Sequence, residues 1–286
     1  MRPVQDPTEI VVLDGVALDP AAPALRAGWP GVLRGEGIFE AFRVDDGVPT
    51  PFLDRHQRRL EGSARRCEFD LAGRTLAREL EDVLPRLDAR GAWRLRYTLL
   101  RREDDGCARL WTVGRAPPSP RSVTLAIAEV RLDPACPLAG AKTDSRMGYQ
   151  LARRRARAAG ADEALVRTVD GDVGEGTSTN LFLALGGALH TPSLDRGILG
   201  GITRGALLEA CREAGIPTFE REIGLDDLAA ADEIYVTSAV IGVVPATRIL
   251  ECRDALPGPE GALLPEVRAA YAAQRERHAL ERASCS

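Results

Sequence analysis

The 286-residue sequence contains a single lysine, Lys142, so 37 of its 38 basic residues are arginines. Asn180 is likewise the only asparagine. An arginine side chain stays protonated, whereas a desolvated lysine amine can lose its proton and act as a nucleophile. Compositional drift that spared one lysine would also explain the count. The residues around Lys142 therefore have to distinguish a chemical role from chance.

Zinc-binding and redox motifs are absent, because no two cysteines form a C-x-x-C pair and no histidines are clustered near them. We therefore expect no metal site. Scattered cysteines are usually small buried hydrophobes, and we predict inert thiols here. The six cysteines are Cys67, Cys107, Cys136, Cys211, Cys252 and Cys285.

No stretch approaches the roughly 20 apolar residues of a membrane span. The first residues carry Asp6 and Glu9 and lack the basic-then-apolar pattern of a signal peptide. A hydrophobic content of 44% excludes a disordered chain. A net charge of -4 gives no reason to expect a nucleic-acid or membrane partner. We therefore expect a cytoplasmic globular protein.

Strand and helix patterns interleave along the chain without a strict β-α-β period. Predicted strands cover residues 38–44, 93–100, 122–130, 164–168, 181–185 and 233–238. Predicted helices cover residues 53–67, 76–87, 145–159, 203–213 and 264–282. Three prolines in residues 116–122 predict an extended interdomain linker. The sequence therefore predicts an α+β fold with two domains, residues 1–115 and 123–286.

Four segments beyond the predicted linker carry the residue types of a cofactor site. They are AKTDSRM (141–147), GEGTSTN (174–180), GILGGITR (197–204) and TSAVIGVVP (237–245). Glycine- and hydroxyl-rich turns with one amine suit a phosphate-bearing carbonyl cofactor. The amine forms a Schiff base, a helix N-terminus receives the phosphate, and an anion faces a ring nitrogen.

The ordered set of motifs resembles the class IV (fold type IV) pyridoxal-phosphate enzymes. This family includes branched-chain and D-amino acid aminotransferases and 4-amino-4-deoxychorismate lyase. The matching segments are GEGIFE (35–40), HQRRL (56–60), Lys142, ADEA (161–164), EGTSTN (175–180), Thr191-Pro192, GITR (201–204) and Pro245. They span nearly the whole chain in the family's order, and Glu175 follows Lys142 by the family's 33 positions. The resemblance implies a two-domain fold similar to D-amino acid aminotransferase, with the cofactor pyridoxal 5'-phosphate bound by the larger C-terminal domain.

The resemblance also implies a role for each matched residue. Lys142 is expected to form the Schiff base and to move the proton at the substrate's Cα. Glu175 is expected to face the pyridine nitrogen, and Arg59, three residues after His56, to bind the phosphate. The other implied cofactor-binding residues are Gly201, Ile202, Thr203, Ser238 and Ala239. Because Ala239 stands where many members have Thr or Ser, we expect the hydroxyl of Ser238 to replace that contact.

Phe39 and Arg101 are the candidate substrate-contacting residues. Arg101 follows the predicted strand at 93–100, near where some members place an arginine for the substrate carboxylate. The adjacent Arg102 fits the same role, and so does an ordinary surface charge at a strand end.

Two reactions stay open on this resemblance. A transaminase would move an amino group between an amino acid, or a related amine, and a keto acid. A lyase would release pyruvate from aminodeoxychorismate and leave 4-aminobenzoate. Ala41 departs from the lyase pattern and Met147 from the branched-chain aminotransferase pattern, whereas residues 237–245 are closer to the lyase. We favour the aminotransferase, and the resemblance further implies a homodimer.

Overall fold

The structure is a computed structural model that describes residues 8–284. These residues form two compact units. Unit 1 contains the described residues up to Pro118 together with Ala141–Ser145, and unit 2 contains Ser119–Gly140 and the described residues from Arg146 onward. The segment that carries Lys142 therefore belongs to unit 1, although the residues on either side of it belong to unit 2. That residues 116–122 form a linker between two domains stays a prediction. Asp6 and Cys285 lie outside the described residues.

Unit 1 is built on a six-stranded antiparallel sheet with the order β2-β1-β6-β5-β3-β4. Its strands are β1 (Ile10–Leu13), β2 (Val16–Leu18), β3 (Gly37–Asp45), β4 (Val48–Pro49), β5 (Ala92–Arg101) and β6 (Cys107–Arg115). Its helices are α1 (Pro30–Leu33), α2 (Leu53–Arg66) and α3 (Leu76–Leu80), with a 3₁₀ turn at Leu84–Arg86.

The core of unit 1 lies between helix α2 and the face of the sheet that β3 presents to it. Side chains spaced three or four residues apart along α2 are buried, which forms one helical face: Leu53, His56, Leu60, Ser63 and Ala64. Alternate residues of β3 are buried on the same side: Ile38, Glu40, Phe42 and Val44. A carboxylate and an imidazole, Glu40 and His56, are thus buried in a mostly apolar layer.

Unit 2 is built on an eight-stranded mixed sheet with the order β12-β11-β10-β13-β14-β7-β8-β9. Its strands are β7 (Val123–Leu132), β8 (Glu163–Thr168), β9 (Val173–Gly176), β10 (Asn180–Leu185), β11 (Ala188–Pro192), β12 (Thr218–Arg221), β13 (Glu233–Ser238) and β14 (Gly242–Ile249). Its helices are α4 (Met147–Ala158), α5 (Ile202–Glu213), α6 (Leu225–Ala230) and α7 (Leu264–Ser284). Two 3₁₀ turns lie at Leu194–Arg196 and Gly258–Glu260.

Helices of unit 2 pack on its sheet through small or aliphatic side chains. Helix α4 connects the parallel strands β7 and β8 and buries Ala152 and Ala156. Helices α5 and α7 bury Leu207 and Val267 in a cluster with Phe182 of β10. The start of α5 and the start of β10 therefore lie in the same part of unit 2.

The structure confirms the predicted α+β class. Each predicted strand has a counterpart, and four of the five predicted helices agree within a few residues. The helix predicted at 76–87 was wrong in length: α3 ends at Leu80, after which the N–H groups of residues 81–83 donate three residues back instead of four, and Pro85 has no N–H with which to resume the helix. Of the five cysteines among residues 8–284, Cys211 is buried, Cys136 is exposed and the other three are half-buried, so the expectation of buried thiols holds only for Cys211.

None of the helices within residues 8–284 is long and apolar enough to cross a bilayer. Across the same residues, His, Cys, Asp and Glu side chains form no group of three or more that could hold a metal ion.

Candidate active site

The main chain of Lys142 is fixed by hydrogen bonds within unit 1. The Phe39 N–H of β3 donates to the Lys142 carbonyl (2.9 Å), and the Asp144 N–H donates to the Gly37 carbonyl (2.8 Å). From the other side, the Lys142 N–H donates to the hydroxyl of Ser63 on α2 (3.1 Å). A strand and a helix together therefore set the position from which the lysine side chain extends.

Lys142 and a second cation lie against the same aromatic ring. Its Nζ lies 4.5 Å from the centroid of the Phe39 ring, and the guanidinium carbon of Arg96 lies 3.5 Å from the same centroid. Arg96 also pairs with Asp144 and donates to Thr98 Oγ1 (3.2 Å). The ring of Phe39 therefore contacts both the lysine amine and a guanidinium. Arg96 was not predicted as a site residue, because its contact with Phe39 depends on the pairing of β5 with β3.

Arg59 forms a buried ion pair with Glu40. Its Nε donates to Glu40 Oε1 (2.8 Å) and its Nη2 donates to Oε2 (2.7 Å), which is a bidentate pair. His56 Nδ1 lies 2.7 Å from the same Oε2. The spacing of His56 and Arg59 on one helical face, noted in the sequence, thus directs both side chains to one carboxylate. Glu40 and the role of His56 were not predicted.

Glu40 is ionised in this pair. Burial would raise the pKa of its carboxyl, but the charge of Arg59 and hydrogen bonds from Arg59 and His56 outweigh it and lower the pKa to about 2. Burial lowers the pKa of His56, although Glu40 opposes this effect. We infer that a neutral His56 donates its Nδ1–H to Glu40.

Arg101 is engaged at the far end of β5. Its Nη2 donates to the carbonyls of Cys67 and Glu68 (both 3.1 Å), and its guanidinium carbon lies 4.4 Å from the centroid of Phe69. Its Nε lies 3.3 Å from a carboxylate oxygen of Glu36. These contacts join the end of α2 to the sheet. The role of Arg101 in binding a substrate carboxylate stays a prediction.

In unit 2, the carboxylate of Glu175 on β9 accepts hydrogen bonds from three directions. Tyr149 Oη on α4 donates to Oε1 (3.1 Å), and the Leu199 N–H and Asn180 Nδ2 donate to Oε2 (3.0 and 3.3 Å). Burial, and then the neighbouring charge of Glu175, raises the pKa of Tyr149, so its hydroxyl stays a donor. The carboxylate is therefore held in one orientation. Tyr149 carried no signal in the sequence.

Asn180, the only asparagine, connects Glu175 to the start of helix α5. Its Nδ2 also donates to the Leu199 carbonyl (2.9 Å). A Cβ atom built on Gly201 would lie 1.9 Å from Asn180 Oδ1, so only glycine leaves room for this amide. The structure therefore brings together Glu175 and Gly201, which belong to two separate sequence motifs.

The first turn of helix α5 has the geometry of an anion site. Gly201 is its N-cap, and among residues 8–284 no side chain caps the turn. The N–H groups of a helical first turn have no partner within the helix, and the helix dipole favours an anion there. Ile202 and Thr203 are both buried, and Thr203 Oγ1 lies 3.5 Å from Tyr271 Oη.

Ser238 and Ala239 lie at the turn between β13 and β14. The Ser238 Oγ accepts hydrogen bonds from the backbone nitrogens of Val240 and Ile241, both at 3.3 Å. Thr237, next to it on β13, has a buried Oγ1 without a hydrogen-bond partner in the described part of the chain. A polar atom of this kind is expected to have a partner that the protein chain does not provide.

Glu163 on β8 holds the loop that follows Glu175. Its carboxylate accepts hydrogen bonds from the N–H groups of Ala164, Thr177 and Ser178 (2.9, 3.1 and 3.2 Å). It also accepts from the hydroxyls of Thr177 and Ser178, the latter at 2.7 Å. The ADEA motif therefore stabilises the middle of the EGTSTN motif.

The architecture is shared with known enzymes. A hypothetical aminotransferase of Mycobacterium tuberculosis, solved in its PLP-bound form, is 27% identical and superposes with a TM-score of 0.81 over 93% of this chain and 98% of that chain. A provisionally named branched-chain-amino-acid aminotransferase of Methanocaldococcus jannaschii is 30% identical over 256 residues, 84% of this chain and 87% of the relative. The aminodeoxychorismate lyase of Bacillus subtilis is 28% identical over 235 residues, 77% of this chain and 80% of the relative.

Fold and side chains together define a fold type IV pyridoxal-phosphate enzyme. The family model for amino-transferase class IV matches residues 37–249, and the chain belongs to that family.

The residues present fit this cofactor. One lysine amine is positioned by two elements of unit 1. In unit 2, the Glu175 carboxylate, which accepts hydrogen bonds from three donors, suits a ring nitrogen. The N-terminus of α5, which no described side chain caps, and the Thr237 hydroxyl, which has no partner among the described residues, suit a phosphate.

Proposed function

We propose that the protein is an aminotransferase that moves an amino group between an amino acid, or a related amine, and a keto acid. The observation that carries this proposal is the position of Lys142. The only lysine of the chain has a main chain fixed by β3 and α2 and an amine against the ring of Phe39, which Arg96 also contacts. A lysine whose main chain is fixed, with a guanidinium on the same aromatic ring, suits a substrate that carries a carboxylate beside the reacting carbon.

When bound, pyridoxal phosphate supplies an electron sink for the negative charge that develops at the substrate's Cα. In our proposal, Lys142 holds the cofactor, and its Nζ takes the proton from the substrate's Cα and delivers it again. Arg96 attracts the substrate carboxylate, and the ring of Phe39 orients both cations. Arg101 is kept as a second candidate for that carboxylate.

The remaining cofactor roles are proposed for residues whose surroundings fit them. Glu175, held by three donors, steadies a protonated ring nitrogen. Arg59 and the first turn of α5, from Gly201 to Thr203, bind the phosphate, and Ser238 and Ala239 contribute the turn beside it. A carboxylate that cannot rotate keeps the proton on the ring nitrogen without further reorganisation.

The test is a half-reaction followed by the absorption spectrum of the bound cofactor. An amino donor without acceptor should convert the cofactor to its amino form, and a keto acid should reverse the change. Borohydride should leave the cofactor on the peptide that contains Lys142. Normal turnover by a Lys142→Ala variant would contradict the proposal.

Aminodeoxychorismate lyase activity is the second candidate, because the Bacillus subtilis relative bears that name. The same lysine would then take part in releasing pyruvate and 4-aminobenzoate from aminodeoxychorismate in a single catalytic cycle. Formation of both products from aminodeoxychorismate, with the cofactor spectrum unchanged after each cycle, would replace our first proposal.

We further propose a cytoplasmic homodimer. Exposed apolar side chains such as Leu33 (65%) and Met147 (75%) offer surface that a second subunit could cover. Sedimentation of the holoenzyme should give twice the mass of the chain, and an active monomer would contradict this.

A further inference from the structure

Glu40 stands at a position where an apolar residue would be expected. It lies on the core-facing side of β3, and its neighbours on that side, Ile38 and Phe42, are fully buried. Burying a carboxylate costs free energy even when it is paired, and a hydrophobic residue of similar size is often at least as stabilising. Stability alone therefore gives no reason for a carboxylate here, which points to a second role.

Both oxygens of Glu40 act on Arg59. The two parallel hydrogen bonds from Nε and Nη2 fix the plane of the guanidinium as well as its position. His56 binds Oε2 from the same helix and so restricts rotation of the carboxylate. The Arg59 side chain keeps 12% of its surface exposed, whereas Glu40 and His56 keep none. The pair thus holds an arginine side chain that stays partly exposed.

We propose that Glu40 is a positioning residue that holds Arg59 in the orientation needed to bind the cofactor phosphate. The inference rests on the proposed role of Arg59. A free arginine side chain loses rotamer entropy when it binds a ligand, and a side chain already fixed in the binding orientation avoids that cost. The lowered pKa of His56 agrees with this arrangement, because a neutral imidazole can donate its N–H at Nδ1 to Glu40.

The experiment compares pyridoxal phosphate with pyridoxal, which lacks the phosphate. Affinities of both for the full-length protein, and the rate at which the holoenzyme releases pyridoxal phosphate, are measured in the wild type and in Glu40→Gln. Glu40→Asp keeps the charge but is one methylene shorter and is expected to lose at least one of the two bonds. It serves if Glu40→Gln does not fold.

A matched control lies in the same unit. Glu79 is also buried and accepts two hydrogen bonds from one arginine, Arg109 (2.9 and 3.1 Å). Glu79→Gln therefore removes a comparable buried pair that is not assigned to the site. It should lower stability without changing the preference for pyridoxal phosphate over pyridoxal.

Glu40→Gln should weaken pyridoxal phosphate about tenfold or more, the loss of one hydrogen bond to a charged group. Pyridoxal should change by less than about twofold, because it carries no phosphate. In an Arg59→Ala background, Glu40→Gln should have no further effect.

Equal weakening of both ligands, no weakening, or tighter binding of pyridoxal phosphate by Glu40→Gln would overturn the inference and leave the proposed function standing. So would a selective loss of pyridoxal phosphate in the Glu79→Gln control. A wild-type protein that bound neither ligand would overturn the proposed function and this inference with it.

Discussion

Replacement of Gly201 by alanine should disrupt the Glu175 site through a single methyl group. The new Cβ would lie 1.9 Å from Asn180 Oδ1 and 3.0 Å from its Cγ, far inside contact distance. The φ angle of Gly201 is -65°, which any residue adopts, so the backbone itself opposes nothing. The side chain of Asn180 must therefore move.

The cost follows from the two hydrogen bonds that Asn180 would lose. Its bond to the Leu199 carbonyl is worth about 1 kcal/mol, and its bond to the charged Glu175 about 1.5–3 kcal/mol. We therefore expect Gly201→Ala to lower the free energy of unfolding of unit 2 by about 2–4 kcal/mol. A loss of this size corresponds to a decrease in Tm of roughly 4–16 °C for a domain of this size.

Gly205, one turn further along α5, provides the control. No atom lies within 4 Å of a Cβ built there, so alanine has room and should stabilise the helix by about 0.5–1 kcal/mol. Calorimetry of both variants should thus give shifts of opposite sign. A Gly201→Ala protein as stable as the wild type would refute the reasoning.

Three further predictions concern buried carboxylates. The pKa of Glu40 is lowered from 4.5 to about 2. Above pH 4.5 the ionised carboxylate therefore stabilises the fold by about 3 kcal/mol, and this stabilisation is lost as the pH falls from 4.5 toward 2. In urea unfolding, the deficit of Glu40→Gln relative to the wild type should shrink over that range, and a constant deficit would contradict us. Glu163→Gln should place an amide against the N–H groups of residues 177–178 and lower the free energy of unfolding by about 2–3 kcal/mol. Hydrogen exchange of those two backbone amides should become faster, and unchanged exchange would be inconsistent with the hydrogen bonds described. Tyr149→Phe keeps the ring but removes one donor to Glu175, and should lower stability by about 1.5–3 kcal/mol, whereas a thermally unaltered variant would show that the contact contributes nothing.

The sequence predicts best what depends on residues close together along the chain. The alternation of residues 38–44 and the three-residue spacing of His56 and Arg59 both correspond to the observed strand and helix faces. Asparagine occurs once in the sequence, and the structure places this residue, Asn180, at the centre of a hydrogen-bond network. The proposed roles of these residues in binding a cofactor stay predictions.

What could not be predicted depends on pairing between distant segments. Arg96 meets Phe39 because β3 pairs with β5 in a particular register, and no local pattern sets that register. Tyr149 reaches Glu175 from a separate helix. Glu40 did carry a signal, since strand alternation places this charge on the apolar side of 38–44. A polar residue at a core position indicates a buried partner or a function.

The discontinuity of unit 1 has a consequence for exchanging parts between relatives. Phe39 and Ser63 are hydrogen-bonded by Lys142, which follows them by some 80 to 100 positions. A chimaera that inherits residues 1–118 from one parent and Ala141–Ser145 from another would combine strand β3 and helix α2 with a five-residue segment from a different protein. Recombination libraries should therefore treat the two segments as one heritable block, even though more than 20 residues of unit 2 separate them.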